Sequence, residues 1–114
     1  MKQTTFTAFA LQCIIHLEEE GRYSTVHLYK NALRSYSDYL KKPVVKFSDI
    51  SRERLRGYQR KLSSEGRLPN TISTYMRMLR SIYNQGSDLG YAPYVNRLFH
   101  DVYTGIDSRH KRAL

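Results

Sequence analysis

Ser73, Arg77, Arg80 and Asn84 recur every three or four residues, a spacing that gathers a hydroxyl, two guanidinium groups and a carboxamide on one side of a helix. Such groups make charge-assisted hydrogen bonds to phosphate and read the edges of bases. The chemistry indicated is anion recognition. Pro69 followed by Asn70, a favoured N-cap, marks the start of this helix, and its first turn carries Thr71, Ser73 and Thr74 with no acid to neutralise the positive end of the helix dipole. A helix start of that kind is a ready anion site. The plainer alternative is a solvated face with two ordinary arginines, and the rest of the chain must decide between them.

Covalent chemistry finds no matching residues. His16, His27, His100 and His110 have no Cys, Asp or Glu at metal-ligand spacing, there is no Gly-rich phosphate loop, and no Ser or Cys sits in a nucleophile motif. The run Glu18-Glu19-Glu20 is a solvated helix end, since consecutive helical residues point in different directions. No cofactor, metal or small-molecule substrate is therefore expected. Cys13 lies on an apolar stripe and reads as a small buried hydrophobe; as a single cysteine it cannot form an internal disulfide, which fits a reducing setting.

The elements that position these groups follow from periodicity. At about 100° per residue, Ile72, Met76, Leu79, Tyr83 and Gly86 form the core stripe of the Asn70-to-Leu89 helix, flanked by Tyr75 and Ile82, with the polar stripe about a quarter to a third of a turn away. Before it, Thr5 to Glu20 carries Phe6, Phe9, Ala10, Cys13 and Leu17 at helical spacing and ends at Gly21; Leu11 and Ile15 lie on its opposite side. A helix apolar on two sides is either wedged into the core or touches a second molecule. Ser24 and Thr25 offer an N-cap to a second helix, with Val26, Tyr29, Leu33, Tyr36 and Leu40 inward, His27, Asn31 and Arg34 on a polar stripe, and Pro43 at its end. Val44 to Ser48 reads as an extended loop from which Phe47 and Ile50 plug the core. Asp49 or Ser51 then caps a third helix, with Leu55, Tyr58 and Leu62 inward, Arg52, Arg56 and Arg60 on another face, and Gly66 closing it. After Gly90 the pattern weakens, and irregular chain is expected to pack back through Tyr94, Leu98, Phe99 and Val102. The class is all-α, four main helices with an irregular C-terminal segment: one domain over residues 1–107, with 108–114 as a basic linker.

Composition narrows the partner. Among 114 residues, 19 Lys and Arg stand against 10 Asp and Glu, giving a net charge of +9 and a pI near 9.8, which points to a polyanion. There is no lipidation motif, spanning apolar run or signal peptide, so a membrane partner is not expected. The charge is also polarised: between Arg52 and Arg80 lie eight basic residues and two acids, whereas residues 1–21 hold Lys2 against three glutamates. Arginine predominates in that basic region, which suits bidentate phosphate contacts and guanine edges.

Thr25-Val26-His27-Leu28-Tyr29 with Leu33, Phe47-Ser48-Asp49-Ile50, the run from Asn70 to Asn84, and Lys111-Arg112-Ala113-Leu114 resemble the N-terminal core-binding domain of tyrosine recombinases of the phage-integrase family, in the style of Bacteroides mobile-element integrases. The Asn70-to-Asn84 stretch is the most specific part; Gly86, where such sequences usually carry alanine, departs from the pattern. The resemblance implies a SAM-like helical bundle that forms, with a catalytic domain, a C-shaped clamp on duplex DNA. It implies that the catalytic residues lie in that second domain, with none here, and that Lys111 and Arg112 stand at the junction with it. DNA contacts are then expected from Ser24, Thr25, His27, Arg34, Asn70, Thr71, Ser73, Arg77, Arg80, Asn84, Lys111 and Arg112. Subunit contact is expected from Leu11 and Ile15, whose acidic helix is wrongly charged for DNA. The partners implied are duplex DNA and other recombinase subunits, in a bacterial cytoplasm and on the nucleoid when bound. Two other classes share the charge pattern or the helices: a free-standing helical DNA-binding regulator and a protein-interaction bundle. The first would more usually show a tighter turn than the Gly- and Pro-containing connection between the third and fourth helices; the second would bind without salt dependence.

Overall fold

The computed structural model describes residues 4–95, 97–100 and 102. Four α-helices run in chain order as α1 (Phe6–Glu19), α2 (Tyr23–Leu40), α3 (Arg52–Ser64) and α4 (Pro69–Asp88), with a 3₁₀ turn at Phe47–Asp49 between α2 and α3. There is no strand among the described residues. The most extensive packing is between α2 and α4; α1 joins both, and α3 leans on α4 and α2.

The core is one cluster to which every element contributes, including Phe6, Tyr36, Leu55, Tyr58, Met76, Leu79 and Ile82, all essentially sealed from solvent. Its centre is aromatic. Phe47 enters from the 3₁₀ turn and meets Phe6 at 5.5 Å and Tyr83 at 5.8 Å between ring centroids, both edge to face, while Tyr36 and Tyr58 meet at 5.0 Å in the same way. Three tyrosine hydroxyls find acceptors within the domain: Tyr36 donates to the Asp49 carbonyl at 2.6 Å, Tyr58 to Ser35 Oγ at 2.7 Å and Tyr83 to the Pro93 carbonyl at 2.9 Å. Burial pushes the Tyr36 and Tyr58 hydroxyls well above the ordinary phenol range, so both remain neutral donors.

The helix starts differ from expectation at two places. Thr5 Oγ1 caps α1 by accepting from the Ala8 N–H, and Ser51 Oγ caps α3 by accepting from the Arg54 N–H. But α2 begins one residue earlier than Ser24, because Gly21, at φ +74°, turns the chain so that the Arg22 carbonyl already accepts from Val26 N–H. Ser24 and Thr25 thus lie inside the first turn. Likewise Pro69, whose fixed φ suits the first helical position, makes Leu68 the cap and draws Asn70 into the helix. Behind α4, Leu98, Phe99 and Val102 pack back into the core as expected, whereas Tyr94 is 80% exposed. Val44 is also exposed while Val45 is buried, its N–H bonded to Thr7 Oγ1 and its carbonyl to Thr7 N–H, which fastens the α2–α3 connection to α1.

Candidate nucleic-acid interface

The core stripe of α4 is the expected one, with Ile72, Met76, Leu79, Ile82, Tyr83 and Gly86 all buried. Its wet side carries Asn70, Arg77 and Asn84, all exposed, with Thr71 and Arg80 half-buried beside them. Arg77 Nη2 lies 3.4 Å from Thr74 Oγ1, one turn back, a long contact that leaves most of the guanidinium for another partner. Ser73 does not belong to this surface. It is 4% exposed, and its hydroxyl donates to the Asn70 carbonyl at 3.1 Å, so the position assigned to the polar stripe lies on the inner flank of the helix. The helix itself satisfies the serine hydroxyl, so this position can be buried near the start of α4, although Arg80 and Asn84, at nearly the same angle further along, are half-buried and exposed.

On α2, Ser24, His27 and Arg34 are exposed and Thr25 is half-buried. No hydrogen bond joins these four to the arginines of α4 among the described residues. The two helices are instead locked together from within. Tyr29 Oη and Ser81 Oγ lie 2.8 Å apart, and Gln85 Nε2 donates to Ser81 Oγ at 3.1 Å and to Tyr29 Oη at 3.4 Å. Ser81 and Gln85 were not legible as bridging residues, because their role depends on which residue of α2 stands opposite. Thr25 looks onto the same region, lining with Gln12, His16, Tyr29 and Gln85 a cavity of about 480 Å³ between α1, the start of α2 and the end of α4. Cys13 also borders it; burial raises its thiol pKa, as befits a packed rather than a reactive cysteine.

The helix termini separate into two kinds. α1 and α3 begin with a side-chain cap, and α3 adds Glu53 in its first turn. α2 and α4, which carry the candidate DNA residues, begin with no side-chain cap and no acid in the first turn, so their foremost N–H groups and the positive ends of their dipoles face outward uncompensated. An arginine, an asparagine and an open helix start on one exposed face can hold phosphate oxygens and present donors to a groove.

Leu11 and Ile15 are 48% and 54% exposed on the outer side of α1, so neither is core. Lys111 and Arg112, and the division between residues 107 and 108, lie outside the described residues. Among the described residues, no helix is long and apolar enough to cross a membrane.

Comparison with known proteins gives one match. No curated protein and no solved structure matches the chain. The family model of the phage integrase SAM-like domain matches residues 5–96, which takes in all four helices, the 3₁₀ turn and the Tyr83 to Pro93 closure. With that coverage and a bundle of the matching class, the chain belongs to the phage integrase SAM-like domain family, the N-terminal module of tyrosine recombinases.

Proposed function

We propose that this domain grips duplex DNA at the recombination site of a tyrosine recombinase, supplying affinity and register while a separate catalytic domain cuts and rejoins strands. One observation carries the reading: α4 opens without a cap or an acid, and its exposed edge bears Arg77 and Asn84 with Arg80 beside them. Family membership and a net charge of +9 support it. The contacting groups are Asn70, Thr71, Arg77, Arg80 and Asn84 from α4 and Ser24, Thr25, His27 and Arg34 from α2, joined by Lys111 and Arg112, which lie outside the described residues. Ser73 acts inside the helix instead. The parent enzyme is of the Bacteroides mobile-element type, integrating DNA with other subunits bound at the same site, and it works in the bacterial cytoplasm on the nucleoid.

Phosphate contacts dominate such a half-clamp, so the isolated chain binds duplex DNA weakly and with little sequence preference. Its affinity falls steeply with salt. Arg77→Ala or Arg80→Ala weakens binding by about 1 to 3 kcal/mol for a base contact, or flattens the salt slope by about one unit for a phosphate contact, with the fold intact. A salt-titrated binding series on both variants checks this. Unchanged affinity in both, or a wild-type chain that does not bind at low salt, overturns the reading.

A further inference from the structure

The helix that carries Arg77 and Asn84 is tied to α2 by a closed ring of hydrogen bonds. Tyr29 Oη and Ser81 Oγ lie 2.8 Å apart, and Gln85 Nε2 donates to both, at 3.4 Å to the tyrosine and 3.1 Å to the serine. Two helices are thereby pinned at one level. The other end of the same carboxamide reaches α1, where Gln85 Oε1 accepts from the Cys13 thiol at 3.8 Å. On α4 the ring sits beside the candidate DNA edge, because Arg77 precedes Ser81 by one helical turn and Asn84 follows it at the i+3 position. On α2, Thr25 stands one turn before Tyr29, and the uncapped helix start is about 9 Å from that tyrosine along the axis.

Stability does not account for the ring. Tyr29 is buried among apolar groups, but the hydroxyl at its tip meets a half-buried serine and an exposed glutamine that border the cavity of about 480 Å³. Water can take the place of each bond there, so their net contribution to folding is small. Geometry accounts for it better. Apolar ridges and grooves accept crossing angles that scatter by about 15 to 20° from one helix pair to another, whereas directed bonds select one setting. The start of α4 lies about 18 Å from Ser81 along the axis, so a swing of about 5° about the ring would carry it through about 1.5 Å. That exceeds the range of about 0.5 Å over which a hydrogen bond keeps its length.

We infer that Tyr29, Ser81 and Gln85 are positioning residues for DNA contact: they hold the Arg77 and Asn84 edge of α4 at one setting against the first turn of α2, so that both helices engage the same duplex together. This rests on the DNA-gripping function proposed above. The three act through the helices they join and not by touching DNA. Tyr58 supplies the comparison, because its hydroxyl makes a bond of the same kind, 2.7 Å to Ser35 between α3 and α2, in which α4 takes no part.

The test measures salt-titrated binding to one duplex, and thermal melting, for the wild-type chain and for Tyr29→Phe, Ser81→Ala, their double variant, Tyr58→Phe and Arg77→Ala. Tyr29→Phe keeps the buried ring and alanine suits a helix, so the melting temperatures of these two fall by a few degrees at most. Each is expected to weaken binding by about three- to tenfold, and the double variant no further than either one, since both break the same link. Tyr58→Phe binds as the wild type does, at an equal or greater cost in melting temperature. Should Tyr29→Phe melt below the assay temperature, Ser81→Ala, which removes no core atom, carries the comparison alone. Unchanged binding in the bridge variants, with Arg77→Ala still weakened, overturns the positioning role and leaves the α4 grip standing. Equal weakening in Tyr58→Phe makes the effect one of general stability, and additive losses in the double variant assign the two hydroxyls to separate contacts; either overturns the proposal. Absence of salt-dependent binding by the wild-type chain removes both readings.

Discussion

Asp49 is a carboxylate with 7% of its surface exposed, placed where the 3₁₀ turn meets α2. Burial opposes its ionisation, but Lys42 Nζ donates to Oδ2 at 2.7 Å, the Lys46 N–H donates to the same oxygen at 2.9 Å, and the charges of Lys42 and Arg54 add to them. The attractions win, and the carboxyl pKa is held below its ordinary value. Because the folded-state pKa lies below the unfolded one, ionised Asp49 contributes stability at every pH above the unfolded value of about 3.9, and this is lost as pH falls through the folded value. Asp49→Asn should cost about 1 to 3 kcal/mol at pH 7 and flatten the fall in melting temperature below about pH 4. Superposable melting profiles for variant and wild type from pH 7 to pH 2.5 would count against the pair. None of this was legible in the sequence, where Asp49 was a possible helix cap; its partners come from the turn that folds Lys42 and Lys46 back over it. Ser73 teaches the converse. Its type and spacing suited the wet stripe, yet a serine can satisfy its own hydroxyl on Asn70 and stay dry, so polar type alone does not set the edge of a face.

At the level of the element, α4 is held by an interaction that local periodicity does not reveal. Gly86 occupies a core position, and a Cβ there would stand 2.7 Å from Phe47 Cε1 and Cζ. The ring cannot easily retreat, being enclosed by Phe6, Phe9 and Tyr83. An alanine at this position would recover about 1 kcal/mol of helix propensity, but overpacking of this kind costs about 1 to 3 kcal/mol. Gly86→Ala is therefore expected to destabilise by about 1 kcal/mol, and to become neutral or stabilising in a Phe47→Leu background, where the ring is gone. Denaturant melts of the four corners of that cycle decide it: equal effects of Gly86→Ala in both backgrounds would mean that Phe47 is not the constraint. The sequence revealed both the α4 stripe and Phe47 as a core plug, since each is a local signal. It could not reveal that the two meet, because chain distance carries no information about which ring lands on which glycine. The helix starts follow the same division: Gly21, Pro69 and Ser51 signalled the boundaries, while the backbone bond from Val26 to Arg22 chose the residue.

Across the whole molecule, the charge polarity read from the sequence becomes a division of labour between surfaces. The arginines of α3 and α4 are carried by helices packed on one another, while α1 ends in Glu18, Glu19 and Glu20 and turns Leu11 and Ile15 outward. These two side chains, one turn apart, keep 48% and 54% of their surface in water, although Phe6, Phe9, Ala10, Cys13, Ile14 and Leu17 already give α1 a complete inner face. The described part of the C-terminal segment buries Leu98, Phe99 and Val102 without covering them. An exposed Leu–Ile pair is unremarkable taken singly, but on the one helix whose charge repels DNA it suits contact with a neighbouring subunit. Such a patch is small, well below what a stable dimer buries, so the chain should be mostly monomeric at micromolar concentration and associate only when DNA raises the local concentration of neighbours. Leu11→Glu with Ile15→Glu puts this to the test. Exposed substitutions usually change stability by within about 0.5 kcal/mol, so the melting temperature should hold, and binding of single molecules to DNA should be nearly unchanged. Cooperative loading of a second and third copy on a longer duplex should disappear. If cooperativity survives the double substitution, α1 is a solvated face and the subunits meet elsewhere; if the melting temperature collapses instead, the pair supports the core from its outer side and the interface assignment fails.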